Sequence, residues 1–212
     1  EGIFWYPSEV DVSIRPGWFY HASQDDEVRS IANLVDIYFN SVGRNSVLLL
    51  NIPPDRRGLI HEIDAARIEA LHNYITTTFA NNFIDGKVRE WHASEGESIE
   101  LKIKRGSIIN TVQLSEDITR GQRVEHFTIE AYANGRWQHL TEGTTIGYKR
   151  LLRFSDCRAE RVRITIKSCR STAHINNIGA YYAPHLEDDG RSVIVSDLSN
   201  EGWQTMEDDA YT

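Results

Sequence analysis

The sequence has 212 residues, about 40% of them apolar, and a formal net charge of −8. One or two globular cores fit this length, but a complete (β/α)8 barrel takes about 250 residues alone, so a barrel plus a second domain is excluded. The negative charge argues against nucleic acid and anionic membranes as partners, and no apolar run has the length of a signal peptide or a membrane span.

The first third of the chain shows strands that alternate with helices. A strand is expected in or near residues 4–14. Apolar residues at helical spacing then predict a helix over 28–42, with Ser23 and Asp26 as its capping box and Gly43 as its C-cap. These signals place the start and the end of the first helix.

The next elements are a strand and a second helix. The apolar run at 47–52 is typical of a parallel strand that is buried on both faces, and Pro53 and Pro54 end it. A second helix is predicted over 63–79, with Asp64 near its start. Two α/β units in succession fit the last units of a (β/α)8 barrel, but an open doubly wound sheet would show the same pattern.

The hydrophobic period changes from helical spacing to strict alternation between about residues 80 and 85. We therefore place a first domain at 1–83 and a second at 84–184, and predict an antiparallel β-sandwich for the second. Asn134 and Gly135 form a typical hairpin turn. The predicted strands are 98–104, 109–114, 124–133, 137–140, 150–154, 161–167 and 175–182.

Residues 185–212 form an acidic C-terminal segment, with eight carboxylates against one arginine. A segment of this composition without a clear period is typical of a solvated or weakly ordered end. Its acidic residues lack the spacing of a calcium-binding loop.

The sequence shows no motif for a metal, a nucleotide or another cofactor, so no metal site and no cofactor are predicted. Cys157 and Cys169 flank one predicted strand. They fit either a disulfide in an oxidising compartment or two buried thiols.

Three blocks near the start carry the most specific information: PSEVDVSIRPGWFYH at 7–21, SVGRN at 41–45 and LLLNIPPDRRGL at 48–59. They combine aromatic residues, single charges and prolines at strand ends. This combination is unfavourable in a hydrophobic core and is typical of a sugar-binding site. The blocks resemble the α-L-fucosidases of glycoside hydrolase family 29, in particular the plant and bacterial branch. The resemblance is strong over about the first 75 residues and looser to about residue 183.

The resemblance implies a fold and an activity. It selects the last units of a (β/α)8 barrel followed by a discoidin-like jelly roll. It implies a retaining, exo-acting enzyme that removes terminal α-1,3/1,4-linked L-fucose from glycans, in an extracellular, vacuolar or lysosomal compartment. Most of the barrel would precede residue 7, so we expect an N-terminal barrel segment or chain as a partner. The catalytic nucleophile and acid/base are expected there, and this chain is expected to be inactive alone.

Trp18 is the main candidate for substrate binding. L-Fucose has an apolar C–H face and a methyl group, and an indole can bury both. Gly17 would let the backbone approach the sugar closely. Tyr20 would share a strand face with Trp18, while Phe19 and His21 would lie on the opposite face.

Glu9 is the third candidate for substrate binding. Glu9 and Asp11 would face the same way on a strand, about 7 Å apart, which keeps an isolated acid/base pair as an alternative. Their structural interpretation is an ion pair or hydrogen bond, with Arg15 as a partner. Asp55 and Arg57 follow a strand at the presumed active-site end, but fit a tight loop with a surface ion pair equally well.

A different class of function is a non-enzymatic, lectin-like carbohydrate-binding protein derived from such an enzyme. Its candidates are Trp137 and His139 in the second domain. Trp137 follows the Asn-Gly turn, so simple packing within a hairpin is the alternative.

Overall fold

The structure is a computed structural model that describes residues 6–86, 88 and 90–187. The predicted acidic segment therefore lies almost wholly outside the described residues. The described elements are β1 Glu9–Ser13, α1 Ile31–Asn40, β2 Val47–Asn51, α2 Glu62–Ala80, β3 Trp91–Ala93, β4 Ser98–Lys102, β5 Ile109–Glu116, β6 Val124–Ala133, β7 Arg136–Gly143, β8 Arg150–Cys157, β9 Arg161–Cys169 and β10 Ala173–Tyr181.

The first part of the chain is a parallel pair of strands covered by helices. β1 and β2 run parallel from Glu9 opposite Val47 to Ser13 opposite Asn51. Leu50 packs against a core that α1 and α2 share. The predicted parallel pairing is confirmed. The predicted burial of both faces of β2 is wrong for this chain, because Val47 and Leu49 are 45% and 52% exposed.

Helix α1 begins later than the sequence pattern suggested. Ser30 is its N-cap, and the Ser30 hydroxyl accepts a hydrogen bond from the backbone N–H of Asn33 at 3.1 Å. Ser23 lies instead in a short 3-10 turn, and the extended backbone of Val28 separates that turn from α1. The predicted capping box at Ser23 and Asp26 is therefore wrong.

Gly43 permits close packing and does not act as the helix cap. α1 ends at Asn40, and Ser41 holds the cap position. A Cβ on Gly43 would lie 2.4 Å from the Phe39 carbonyl oxygen and 3.0 Å from the Leu151 Cβ. The Leu151 N–H donates to the Gly43 carbonyl at 2.8 Å, so the missing side chain lets β8 approach the end of α1.

The second part consists of two four-stranded antiparallel sheets, with strand orders β3-β10-β5-β8 and β4-β9-β6-β7. Their inward-facing residues form one hydrophobic core. All seven predicted strands are confirmed, whereas β3, three residues long, was not predicted. Asn134 and Gly135 have φ angles of 53° and 76°, as a tight hairpin turn requires.

The two cysteines are free thiols in this structure. Cys157 ends β8 and Cys169 ends β9, so they lie in different sheets. Burial raises the pKa of both thiols. The sequence left a disulfide and two thiols open, and in this structure Cys157 and Cys169 are two thiols.

Among the described residues, neither helix has the length and apolar character needed to cross a membrane.

Substitution of Ser30, the observed N-cap, should destabilise the protein, whereas substitution of Ser23, the N-cap predicted from the sequence, should not. We predict that Ser30→Ala lowers the free energy of unfolding by about 1 kcal/mol, because the Asn33 N–H loses its acceptor. Ser23→Ala should change it by less than about 0.5 kcal/mol, since this side chain is exposed in the 3-10 turn. Chemical denaturation of both variants measures the difference, and equal effects would contradict the assignment of the cap.

Candidate functional site

The candidate site lies at the carboxyl ends of β1 and β2, where residues 14–21 form a loop. Asn51, the last residue of β2, holds this loop. Its amide nitrogen donates to the Trp18 carbonyl at 3.1 Å and to the Ser13 hydroxyl at 3.1 Å. The Ser13 hydroxyl in turn donates to the Gly17 carbonyl at 2.7 Å. These bonds fix the backbone on both sides of Trp18.

Trp18 presents its ring to solvent from this loop. Its side chain is 49% exposed, although an indole gains free energy by burial, and the neighbouring Phe19 is 78% exposed. The prediction that Trp18 and Tyr20 share a strand face is wrong, because β1 ends at Ser13 and Trp18 lies in a bend. A Cβ on Gly17 would meet no described atom within 4 Å, so any close approach there would involve a ligand or another part of the protein.

A buried arginine organises the base of the loop. The Arg15 guanidinium lies 2.8 Å from the Asp64 carboxylate, with both side chains fully buried, and 3.0 Å from Asp25. Burial alone would lower the pKa of Arg15, but the hydrogen bonds and charges of Asp64 and Asp25 outweigh it and raise that pKa. The predicted pairing of Arg15 with Glu9 or Asp11 is wrong.

Tyr20 packs beside this ion pair. The Arg15 guanidinium lies 4.7 Å from the centre of the Tyr20 ring, and the His61 ring lies 5.5 Å from it. Burial, reinforced by the Asp25 carboxylate, raises the pKa of the Tyr20 phenol. Tyr20 and His61 also line an open cavity of about 420 Å³ together with Asp55.

Asp55 stabilises the loop that follows β2. Its carboxylate accepts hydrogen bonds from the Arg57 side chain at 2.8 Å and from the Arg57 backbone N–H at 2.7 Å. These bonds hold the pKa of Asp55 below its ordinary value. Arg57 also pairs with Glu62 at 2.8 Å. The interpretation of this segment as a tight loop with an ion pair is confirmed, but Asp55 is buried, and only the pair of Arg57 with Glu62 lies at the surface.

Glu9 and Asp11 lie on the exposed face of β1, in register with Val47 and Leu49. Neither carboxylate makes a hydrogen bond or an ion pair within the described part of the chain. Glu9 is the first residue of β1 and Ser13 is the last. At the usual rise of a β-strand, four residue steps separate their Cα atoms by about 13 Å. The structure therefore places Glu9 and the Trp18 loop at opposite ends of the strand.

Trp137 packs within its hairpin. Its ring makes an edge contact with Tyr132 at 5.4 Å, and the Arg163 guanidinium lies 4.1 Å from the ring centre. The interpretation of Trp137 as hairpin packing is confirmed, and this packing occupies part of the ring surface that a sugar would use.

Known proteins match both parts of the chain. The α-L-fucosidase family model matches residues 4–78. The crystal structure of a Bacteroides ovatus protein assigned as an α-L-fucosidase aligns over 94% of this chain, with 51% identity and a TM-score of 0.86. α-L-Fucosidase 1 of Arabidopsis thaliana is 33% identical over an alignment 211 positions long, which covers 85% of this chain. These matches support the assignment of this chain as a C-terminal portion of a glycoside hydrolase family 29 α-L-fucosidase.

One of the similar solved structures holds the sugar. A Ruminococcus gnavus family 29 fucosidase, solved in complex with fucose, is 30% identical over 85% of this chain, with a TM-score of 0.77. The chain spans 41% of the Arabidopsis relative and 34% and 42% of the two bacterial structures. It therefore corresponds to less than half of each of these three proteins.

The protein should be strongly destabilised when one partner of the buried ion pair is removed. We predict that Asp64→Ala lowers the free energy of unfolding of the full-length protein by about 3 to 5 kcal/mol, because it leaves the Arg15 charge buried without its main partner. Glu62→Ala removes an exposed acid from the same helix and should cost less than about 1 kcal/mol. Chemical denaturation of the two variants provides the comparison, and a similar small loss in both would show that Arg15 does not depend on Asp64.

Proposed function

We propose that the protein containing this chain is a retaining, exo-acting α-L-fucosidase that removes terminal α-1,3/1,4-linked L-fucose from glycans. In this proposal, the chain supplies part of the wall of the fucose pocket. The observation that carries the proposal is the half-exposed Trp18 at the carboxyl ends of two parallel strands, where Asn51 donates to its backbone carbonyl. Barrel enzymes have their active sites at this end, and indole rings suit the C–H face of a sugar.

The arrangement of β1 and β2 fits the last units of a (β/α)8 barrel. Helices cover one face of the pair, while the other face exposes Val47 and Leu49. In a closed barrel this second face would point into the interior, and an N-terminal segment or partner chain would supply the missing units. The two antiparallel sheets would form an accessory discoidin-like jelly roll, and the enzyme would act in an extracellular, vacuolar or lysosomal compartment.

The carboxylates of the described chain suggest a division of roles. A retaining glycosidase needs one ionised nucleophile and one acid/base. Asp25, Asp55 and Asp64 are each held by an arginine, which makes them poor candidates for proton transfer. We therefore place the nucleophile and the acid/base on polypeptide outside this sequence, with Trp18 and Tyr20 as substrate contacts. Glu9, the third residue predicted to contact substrate, lies at the opposite end of β1 and does not join this group.

Removal of the Trp18 ring tests this proposal in the full-length protein. We expect Trp18→Ala to lower kcat/KM for p-nitrophenyl α-L-fucoside by about 10- to 100-fold, the usual effect of losing an apolar contact worth about 1 to 3 kcal/mol. Trp137→Ala, which removes an indole from the second part, should leave kcat/KM unchanged. Full activity of Trp18→Ala would contradict the pocket-wall role. A protein that binds sugar in calorimetry without hydrolysing the fucoside, and that loses this binding in Trp137→Ala but not in Trp18→Ala, would favour the lectin-like alternative.

The role of Glu9 requires a separate test. If Glu9 contacts substrate, Glu9→Gln lowers kcat/KM by about tenfold and leaves the pH profile unchanged, since the amide keeps the shape and loses the charge. If Glu9 is instead a general acid, kcat falls by about 10² to 10⁴-fold and one limb of the pH profile disappears. Asp11→Asn, two residues along the same exposed face, serves as the matched control for a change of charge.

A further inference from the structure

Two histidines and a glutamate meet on the edge of the first antiparallel sheet. His92 on β3 lies directly opposite His174 on β10, and their ring centres are 4.5 Å apart. A carboxylate oxygen of Glu90 lies 3.1 Å from His92 Nε2 and 3.5 Å from His174 Nδ1. One ligand atom from each residue thus falls within 4.8 Å of the other two.

The strand register forces this convergence. Ala93 and Ala173 are paired and fully buried, so they point into the core. Because side chains alternate along a strand, the preceding residue on β3 and the following residue on β10 both point outward. His92 and His174 are these residues, and antiparallel pairing places them side by side on the outer face.

The spacing of the three donor atoms suits a small, late transition-metal ion. Zinc binds imidazole nitrogen and carboxylate oxygen at about 2.0 to 2.2 Å, so two ligands of one tetrahedral ion lie about 3.3 to 3.6 Å apart. Both distances from Glu90 are close to that range. His174 Nδ1 is shielded from solvent and has no hydrogen-bond partner within the described part of the chain, and a bound metal would satisfy this buried nitrogen.

We propose that Glu90, His92 and His174 bind a divalent late transition-metal ion, Zn²⁺ in particular. Calcium and magnesium prefer six or more oxygen ligands, whereas this group offers two nitrogens and one carboxylate. The half-exposed His92 and Glu90 leave a fourth position open to water. The ion fastens β3, a strand of three residues, to its neighbour β10.

Titration of the full-length protein with ZnCl2 tests this site. After treatment with EDTA and removal of the chelator, calorimetry should detect saturable Zn²⁺ binding that CaCl2 does not reproduce. His92→Ala and Glu90→Gln should each weaken the zinc affinity by at least about tenfold, because each removes one of three ligands. The melting temperature of the wild type should rise with Zn²⁺, and this rise should be absent in both variants.

His126→Ala is the matched control. His126 on β6 is another partly exposed histidine beside a carboxylate, 3.5 Å from Glu142, but it lies outside the cluster. The His126→Ala variant should bind Zn²⁺ with the affinity of the wild type. Absence of saturable binding by the wild type would overturn the proposal. So would unchanged binding by His92→Ala and Glu90→Gln, or an equal loss in His126→Ala.

Discussion

The buried ion pair between Arg15 and Asp64 is the constraint on which the candidate site depends. A fully buried guanidinium costs several kcal/mol of desolvation unless carboxylates compensate its charge. Asp64 lies at the start of α2, and Asp25 lies in the 3-10 turn before α1. Arg15 therefore fixes the exit of β1 relative to both neighbouring segments, and its guanidinium also packs over Tyr20.

The loop with Trp18 begins at this fixed point. Arg15 fixes the base of the loop. Asn51 fixes the backbone of the loop through hydrogen bonds to the Trp18 carbonyl and the Ser13 hydroxyl. Each such hydrogen bond contributes about 0.5 to 1.5 kcal/mol, less than the loss expected when one partner of the buried pair is removed. The ion pair fixes the base of the loop, and Asn51 fixes its backbone at Trp18. A rigid loop can keep an exposed indole in place for a ligand at little further entropic cost.

Local patterns predicted most of the elements, whereas contacts across long sequence distances could not be predicted. Alternation and the Asn134–Gly135 turn indicated the antiparallel strands, and helical spacing indicated α2. The helix cap was misplaced because Ser23 and Asp26 have the spacing of a capping box, whereas the extended backbone at Val28 delays the helix until after Ser30. Arg15 and Asp64 are 49 residues apart, and only the fold brings them together. The register of β3 and β10 likewise creates the pairing of His92 with His174.

A crystal structure of the full-length protein with L-fucose bound would test most directly whether the Trp18 loop forms a wall of the sugar pocket. We predict that the Trp18 ring lies within about 4 Å of the fucose carbon atoms, the distance of an apolar contact, and that the Asn51 bond to the Trp18 carbonyl is retained. Fucose bound in a pocket that Trp18 does not contact would contradict the proposed role of this loop.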